Sequence, residues 1–138
     1  MRRKVILARK DGNFALDLVN SQYLVMVNSV RTFSEYVADP AQRSLILGPA
    51  SRKLLSAIED VEKGDGSNGR IELCLSEEQI HALYVLLMWL PTSFNSEEAF
   101  VDRVGAFKEN LTNMAQGLLV AVGELSAGGA TSSLAHPD

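Results

Sequence analysis

The chain has 138 residues, of which 46% are hydrophobic and 22% are charged, and its formal net charge is -4. These values are close to the average of globular proteins, so they exclude disorder of the whole chain and fit one domain with its own core. The charge is uneven, because residues 1–69 carry ten basic and eight acidic side chains whereas residues 70–138 carry three and nine. This balance argues against a nucleic-acid-binding protein.

A single cysteine, Cys74, excludes an intrachain disulfide and fits a reducing compartment. The apolar run after the basic N-terminus is too short for a signal peptide. The longest apolar stretch, Leu83–Leu90, is too short to cross a bilayer. We therefore predict a soluble, cytoplasmic protein that does not enter a membrane.

The first predicted element is a β-hairpin over residues 4–19. Asp11-Gly12 supplies two residues that tolerate positive φ, as a type I′ turn requires. Apolar residues alternate with polar or small ones along the segment, so we expect one face of the hairpin to be buried and the other exposed.

The apolar spacing becomes helical between Tyr23 and Val37. Asn20 or Ser21 is the expected N-cap of this helix, because short polar side chains accept hydrogen bonds from the first free amides. Asp39-Pro40 is expected to end it, since a residue that precedes proline avoids the helical conformation.

Three shorter elements follow. We interpret "SLIL" (44–47) as a strand or an extended connection, and Gly48-Pro49 as the opening of a second helix. Residues 70–75, "RIELCL", alternate as a half-buried strand does. Ser76 and Gln79 form a capping box, which begins a helix that ends before Pro91. This helix is apolar nearly all round, so it should lie at the centre of the fold or in an interface.

The C-terminal segment contains a heptad seam, with apolar residues at alternating steps of four and three. It is predicted to be one long helix that begins near Ser96 and packs antiparallel on the preceding helix as a helical hairpin. The segment contains Gly105, Gly117 and Gly123. Glycines inside a helix persist more easily where another backbone approaches the helix closely. The seam consists of Phe100, Val104, Phe107, Leu111, Met114, Leu118, Ala121 and Leu125.

These elements together predict an α+β fold. It has an N-terminal β-hairpin and one or two further short strands in a small antiparallel sheet, packed with about four helices that include the C-terminal helical hairpin. Residues 1–125 form the single domain, and residues 126–138 form a flexible C-terminal tail because they contain almost no large apolar side chains.

No catalytic, cofactor or metal site is predicted. Cys74 and His81 are the one conceivable nucleophile and base, but a lone cysteine usually behaves as a small hydrophobic residue. The two histidines are far apart in sequence, and "DGSNG" (65–69) lacks the carboxylates of a calcium loop. The acidic pairs Glu77/Glu78 and Glu97/Glu98 are explained by their places in first helical turns.

The segment "GPASRK" (48–53) is a candidate anion site, because a helix N-terminus with Ser51, Arg52 and Lys53 could hold a phosphate. It lacks the glycine-lysine ending of a phosphate-binding loop. We interpret it as an ordinary helix start with solvated basic residues.

The two C-terminal helices carry more apolar surface than one copy of the chain needs. We therefore predict a small, acidic, non-enzymatic interaction protein, such as an adaptor, an inhibitor or a regulatory subunit, that forms a homodimer and binds a basic protein partner. The alternative is a nucleic-acid-binding regulator that uses the basic N-terminal hairpin. The predicted partner-binding residues are Leu86, Met88, Trp89, Phe107, Met114 and Leu118.

Overall fold

The computed structural model of the chain describes residues 5–60 and 70–134. Over these residues the chain forms three strands, six α-helices and one short 3-10 helix, which confirms the predicted α+β class. The predicted loop at 64–69 lies outside the described residues. In chain order the elements are β1 (Ile6–Lys10), β2 (Asn13–Val19), α1 (Asn20–Tyr36), α2 (Pro40–Leu47), α3 (Ser51–Asp60), β3 (Arg70–Leu75), α4 (Glu77–Trp89), the 3-10 helix (Leu90–Ser93), α5 (Glu97–Val104) and α6 (Lys108–Leu134).

The sheet is antiparallel, with strand order β1-β2-β3. The predicted hairpin is present, and Asp11 and Gly12 have φ angles of 54° and 81° at its turn. In the register of the strands Leu16 lies between Leu7 and Leu73, so leucines from all three strands share the inner face. This period-two pattern turns the sheet's apolar side toward the helices.

The outer face of the sheet carries polar pairs. Arg70 donates from Nε to Asp17 at 2.8 Å, and Lys10 donates to Glu72 at 3.1 Å. The hydrogen bond with Glu72 and its negative charge raise the pKa of Lys10 above its ordinary value. The pairs are exposed and serve mainly to keep this face hydrophilic.

The predicted N-cap of the first helix is wrong. The expected caps Asn20 and Ser21 lie inside α1, and the side chain of Gln22 instead accepts from the N–H of Val19 at 3.0 Å. Helix α1 ends at Tyr36, shortly before Asp39-Pro40 as predicted, and Asp39-Pro40 also begins α2: the Asp39 side chain accepts from the N–H of Ala41 at 3.3 Å. Proline is well suited to a first helical turn, where its missing N–H removes no helical bond.

The strand interpretation of residues 44–47 is also wrong, because these residues form the second half of α2. A four-residue apolar run cannot be assigned to a strand or a helix from its periodicity alone. Gly48, with φ at 93°, ends α2. The next helix begins at Ser51, later than the Gly48-Pro49 start that the sequence predicted.

The single closing helix predicted from the heptad seam is two helices. Gly105 adopts a left-handed conformation with φ at 84°, and its N–H donates to Val101 at 2.8 Å, which ends α5. Helix α6 then begins at Lys108, whose N–H donates to the Glu97 side chain at 2.8 Å. The seam therefore runs over two helices and the turn between them.

Helix α4 lies at the centre of the fold, where it contacts the sheet and α1, α2, α3 and α6. The predicted capping box begins it: Ser76 accepts from the N–H of Gln79 at 3.1 Å, and the Gln79 side chain accepts from the N–H of Ser76 at 2.7 Å. Helix α4 contacts α6, and residues 77–84 of α4 lie beside residues 118–122 in the middle of α6.

Helix α6 continues to Leu134, past the residue at which the sequence predicted the tail to begin, and residues 135–138 lie outside the described residues. Over the described part of the chain, no helix combines the length and hydrophobicity that a bilayer crossing requires.

One glycine of α6 is needed for close packing against the start of the sheet. A Cβ atom added at Gly117 would lie 2.7 Å from Cγ2 of Val5 and 3.2 Å from its Cβ. Val5 is buried, and its β-branched side chain has little rotamer freedom with which to move away. At Gly123 in the same helix, nothing lies within 4 Å of an added Cβ.

We predict that Gly117→Ala and Gly123→Ala have opposite effects. Both gain the helix propensity of alanine, about 0.5–1 kcal/mol, so Gly123→Ala should stabilise the protein. Gly117→Ala should lower the free energy of unfolding by about 1–3 kcal/mol relative to that control, because it overpacks the Val5 contact. Urea denaturation measures both, and equal stabilisation would show that α6 does not pack on Val5.

Candidate protein-binding site

An apolar groove lies between α4, α6 and the start of β2. Its volume is about 280 Å³, and the described side chains along it that carry polar groups are Glu77, His81 and Tyr84. Such a concave and largely apolar surface can receive apolar side chains from another molecule. The other residues that line it are Phe14, Ile80, Leu118, Leu119 and Val122.

The spacing of residues on the two helices builds this groove. On α4, residues 77, 80, 81 and 84 fall on one strip, and on α6, residues 118 and 122 are one turn apart. Ile80 and Leu118 are buried at its base, whereas Leu119 is 53% exposed. An exposed leucine therefore stands directly beside an apolar depression.

Five of the six predicted partner-binding residues take part in this chain's own packing. Leu86 and Leu118 are buried, with Leu118 only 1% exposed. Met88, Trp89 and Met114 are partly buried against the core. Their assignment as partner contacts stays a prediction, and of these five only Leu118 lines the groove.

Trp89 packs against another helix of the same chain, as a core residue does. Its ring meets Phe33 edge to face, with centroids 5.3 Å apart, so one side of the indole is already covered by α1. Phe107, the sixth predicted residue, is 60% exposed because it lies in the turn that separates α5 from α6.

Leu119, Tyr84 and Val122 were not among the predicted partner-binding residues. The sequence contained a signal for them, since Leu119 and Val122 widen the seam toward the C-terminal end of α6 and Tyr84 lies on the apolar face of α4. Burial decides between Leu118 and Leu119, which are neighbours in sequence, and burial depends on tertiary packing.

The structure does not bring the considered catalytic residues together. Cys74 is exposed on the outer face of the sheet, where it pairs in register with Ala15. His81 is exposed on α4 and lines the groove on the inner side of the sheet. Glu77/Glu78 and Glu97/Glu98 lie in the first turns of α4 and α5, as expected.

No cluster of metal-ligating side chains occurs in the part of the chain that the structure describes. His136 and residues 65–69 lie outside it.

The basic hairpin considered for nucleic-acid binding has few unengaged cations among its described residues. The Arg9 guanidinium lies over the Phe14 ring, 4.9 Å from its centroid, and Lys10 is bonded to Glu72. Arg2, Arg3 and Lys4 lie outside the described residues.

The sequence matches no family model, and comparison with curated proteins and with solved structures finds no match. The site is therefore interpreted from its own chemistry.

We predict that substitutions at the neighbouring positions 118 and 119 have different effects on stability, because Leu118 is buried in the core and Leu119 lies on the surface of the groove. Leu118→Ala should lower the free energy of unfolding by about 2–5 kcal/mol, because it leaves a cavity beneath α4. Leu119→Ala should change it by less than about 1 kcal/mol, since half of that side chain is already in water. Urea denaturation of both variants measures the difference, and similar losses would contradict the assignment of Leu119 to the surface.

Proposed function

We propose that this chain is a non-enzymatic protein–protein interaction module, acting as an adaptor, an inhibitor or a regulatory subunit. It binds through the groove between α4 and α6, and its partners include a second copy of itself. We place it in the cytoplasm, which a chain with a single cysteine suits. The observation that carries the proposal is an exposed leucine beside an apolar groove.

The shape and chemistry of the groove support a protein partner. Its surface is mostly carbon, so it offers few of the convergent polar groups that fix a small ligand in one orientation. An amphipathic helix laid on a groove of this kind inserts apolar side chains at helical spacing. Tyr84 adds an aromatic ring, a residue type enriched at interface cores.

The charge around the groove favours a basic partner. Glu77 lines it, and Glu78 is the next residue in the first turn of α4. Complementary charge at an interface rim accelerates association and excludes partners of like charge.

A two-fold dimer would use the same surface twice. In such an interface each copy contributes the same patch, so Leu119 of one copy can enter the groove of the other while its own groove receives the partner's leucine. This arrangement would cover both leucines.

We predict that Leu119→Glu abolishes self-association and leaves the fold intact. A carboxylate at this position would be buried without a partner in the dimer but solvated in the monomer. Leu45→Glu is the matched control, because Leu45 is 85% exposed on α2 and does not line the groove. Sedimentation velocity at micromolar concentration should show a dimer for the wild type and Leu45→Glu, and a monomer for Leu119→Glu.

A second experiment addresses other partners. A photoreactive phenylalanine analogue at position 119 should crosslink to a specific protein in the cells that produce the chain, and the same analogue at position 45 should not. Competition by unlabelled wild type, but not by Leu119→Glu, identifies the groove as the contact. A strictly monomeric wild type together with no crosslink specific to position 119 would overturn the proposed function.

A further inference from the structure

A second cavity, of about 290 Å³, lies where α2 and α3 meet the C-terminal part of α1. It is separate from the apolar groove and differs from it in chemistry, since none of the described residues that line it is acidic. Its polar lining consists of two arginines and four serines: Arg43, Arg52, Ser34, Ser44, Ser51 and Ser56.

The guanidinium of Arg43 is held in place by backbone carbonyls. Its Nε donates to the carbonyl of Val37 at 2.6 Å, and its Nη2 donates to the carbonyl of Ser34 at 3.0 Å. These carbonyls belong to the end of α1, where no helical amide is available to them. Two of the five N–H donors are thus used for anchoring, and three are left for a ligand.

Positive charge in this cavity is not neutralised by the protein. Neither Arg43 nor Arg52 forms an ion pair with any carboxylate of the described residues. Two guanidinium groups match a phosphate monoester, which carries about -1.5 to -2 charges at neutral pH. Arginine also suits this ligand geometrically, because its planar fork donates to two oxygens at once.

The serines add donors whose present contacts are weak. Ser51 is 3% exposed, and its Oγ lies 3.4 Å from Oγ of Ser44, longer than the usual distance between hydroxyl oxygens. A phosphate oxygen could replace this contact with a shorter, charge-assisted bond. Ser51 also begins α3. The residue before it, Ala50, accepts the first helical bond from Leu54 but has no side chain that can cap the helix, so the positive end of the helix dipole also favours an anion here.

We propose that this cavity binds a phosphate group, either free or esterified to a small molecule. The anchored Arg43 and the exposed Arg52 hold the oxygens, and the serine hydroxyls donate to those that remain. The volume is near the lower end of small-molecule sites, so it admits a phosphate with a small substituent. Leu55 and Pro40 provide the apolar part of the lining that such a substituent would contact.

The test is a calorimetric titration of the full chain at low ionic strength with inorganic phosphate and with glycerol phosphate. Saturable one-to-one binding with a Kd below about 10 mM is expected. Tighter binding of glycerol phosphate would identify the ester as the ligand, and tighter binding of inorganic phosphate would identify the free ion. Acetate is the control for charge alone and should bind at least about tenfold more weakly.

Two neighbouring variants distinguish specific phosphate binding in the cavity from non-specific electrostatic attraction of phosphate to the protein. Arg52→Gln removes a charge inside the cavity and should weaken phosphate binding about 10- to 100-fold, the loss of one charge-assisted contact. Lys53→Gln removes the same charge one residue away, outside the lining, and should weaken it less than about threefold.

Arg43→Lys keeps the charge but removes the anchored fork, and it should also weaken binding about tenfold or more. Thermal denaturation checks that this variant folds, and if it does not, Arg52→Gln and Lys53→Gln decide alone. No saturable binding, equal losses in Arg52→Gln and Lys53→Gln, or equal affinity for acetate would each overturn the proposal.

Discussion

Helix α4 must be covered over a broad part of its circumference, because its buried residues are not confined to one narrow strip. At helical spacing Ile80, Leu83 and Leu87 share one face, Ala82 and Leu86 extend that face around the axis, and all of them are buried. The sheet, three earlier helices and α6 each cover part of it. A helix of this kind is stabilised by tertiary packing more than by its intrinsic propensity, so the arrangement of the other elements follows from the need to surround it.

This constraint also limits the surface that is left for a partner. The sequence indicated a surplus of apolar side chains in the C-terminal helices, and one copy of the chain covers most of it, including Leu86 and Leu118. The large apolar side chains that stay exposed include Leu119, which stands beside the groove, and Phe107 in the turn before α6. A local surplus of this size suits insertion of a few side chains, and it is smaller than the continuous apolar face of an obligate dimer.

The sequence predicted the parts of the fold that depend on neighbouring residues. The turn at Asp11-Gly12, the strand at 70–75 and the capping box at Ser76 are all present, because each is determined by a few adjacent side chains. Gly105 shows the limit of this reasoning. The seam kept its period across this glycine, so the pattern indicated one helix, although the left-handed conformation of Gly105 divides it in two.

The proposed phosphate-binding cavity could not be predicted from the sequence, and the wrong assignment of residues 44–47 contributed to this. Residues 48–53 by themselves predict an ordinary helix start with solvated basic residues. Nothing in the spacing of residues 44–47 places Arg43 beside them. In the structure Asp39 and Pro40 begin a helix there, which places Arg43 against the end of α1 and beside Ser51. The site depends on a contact between helices, and no spacing within a single segment encodes such a contact.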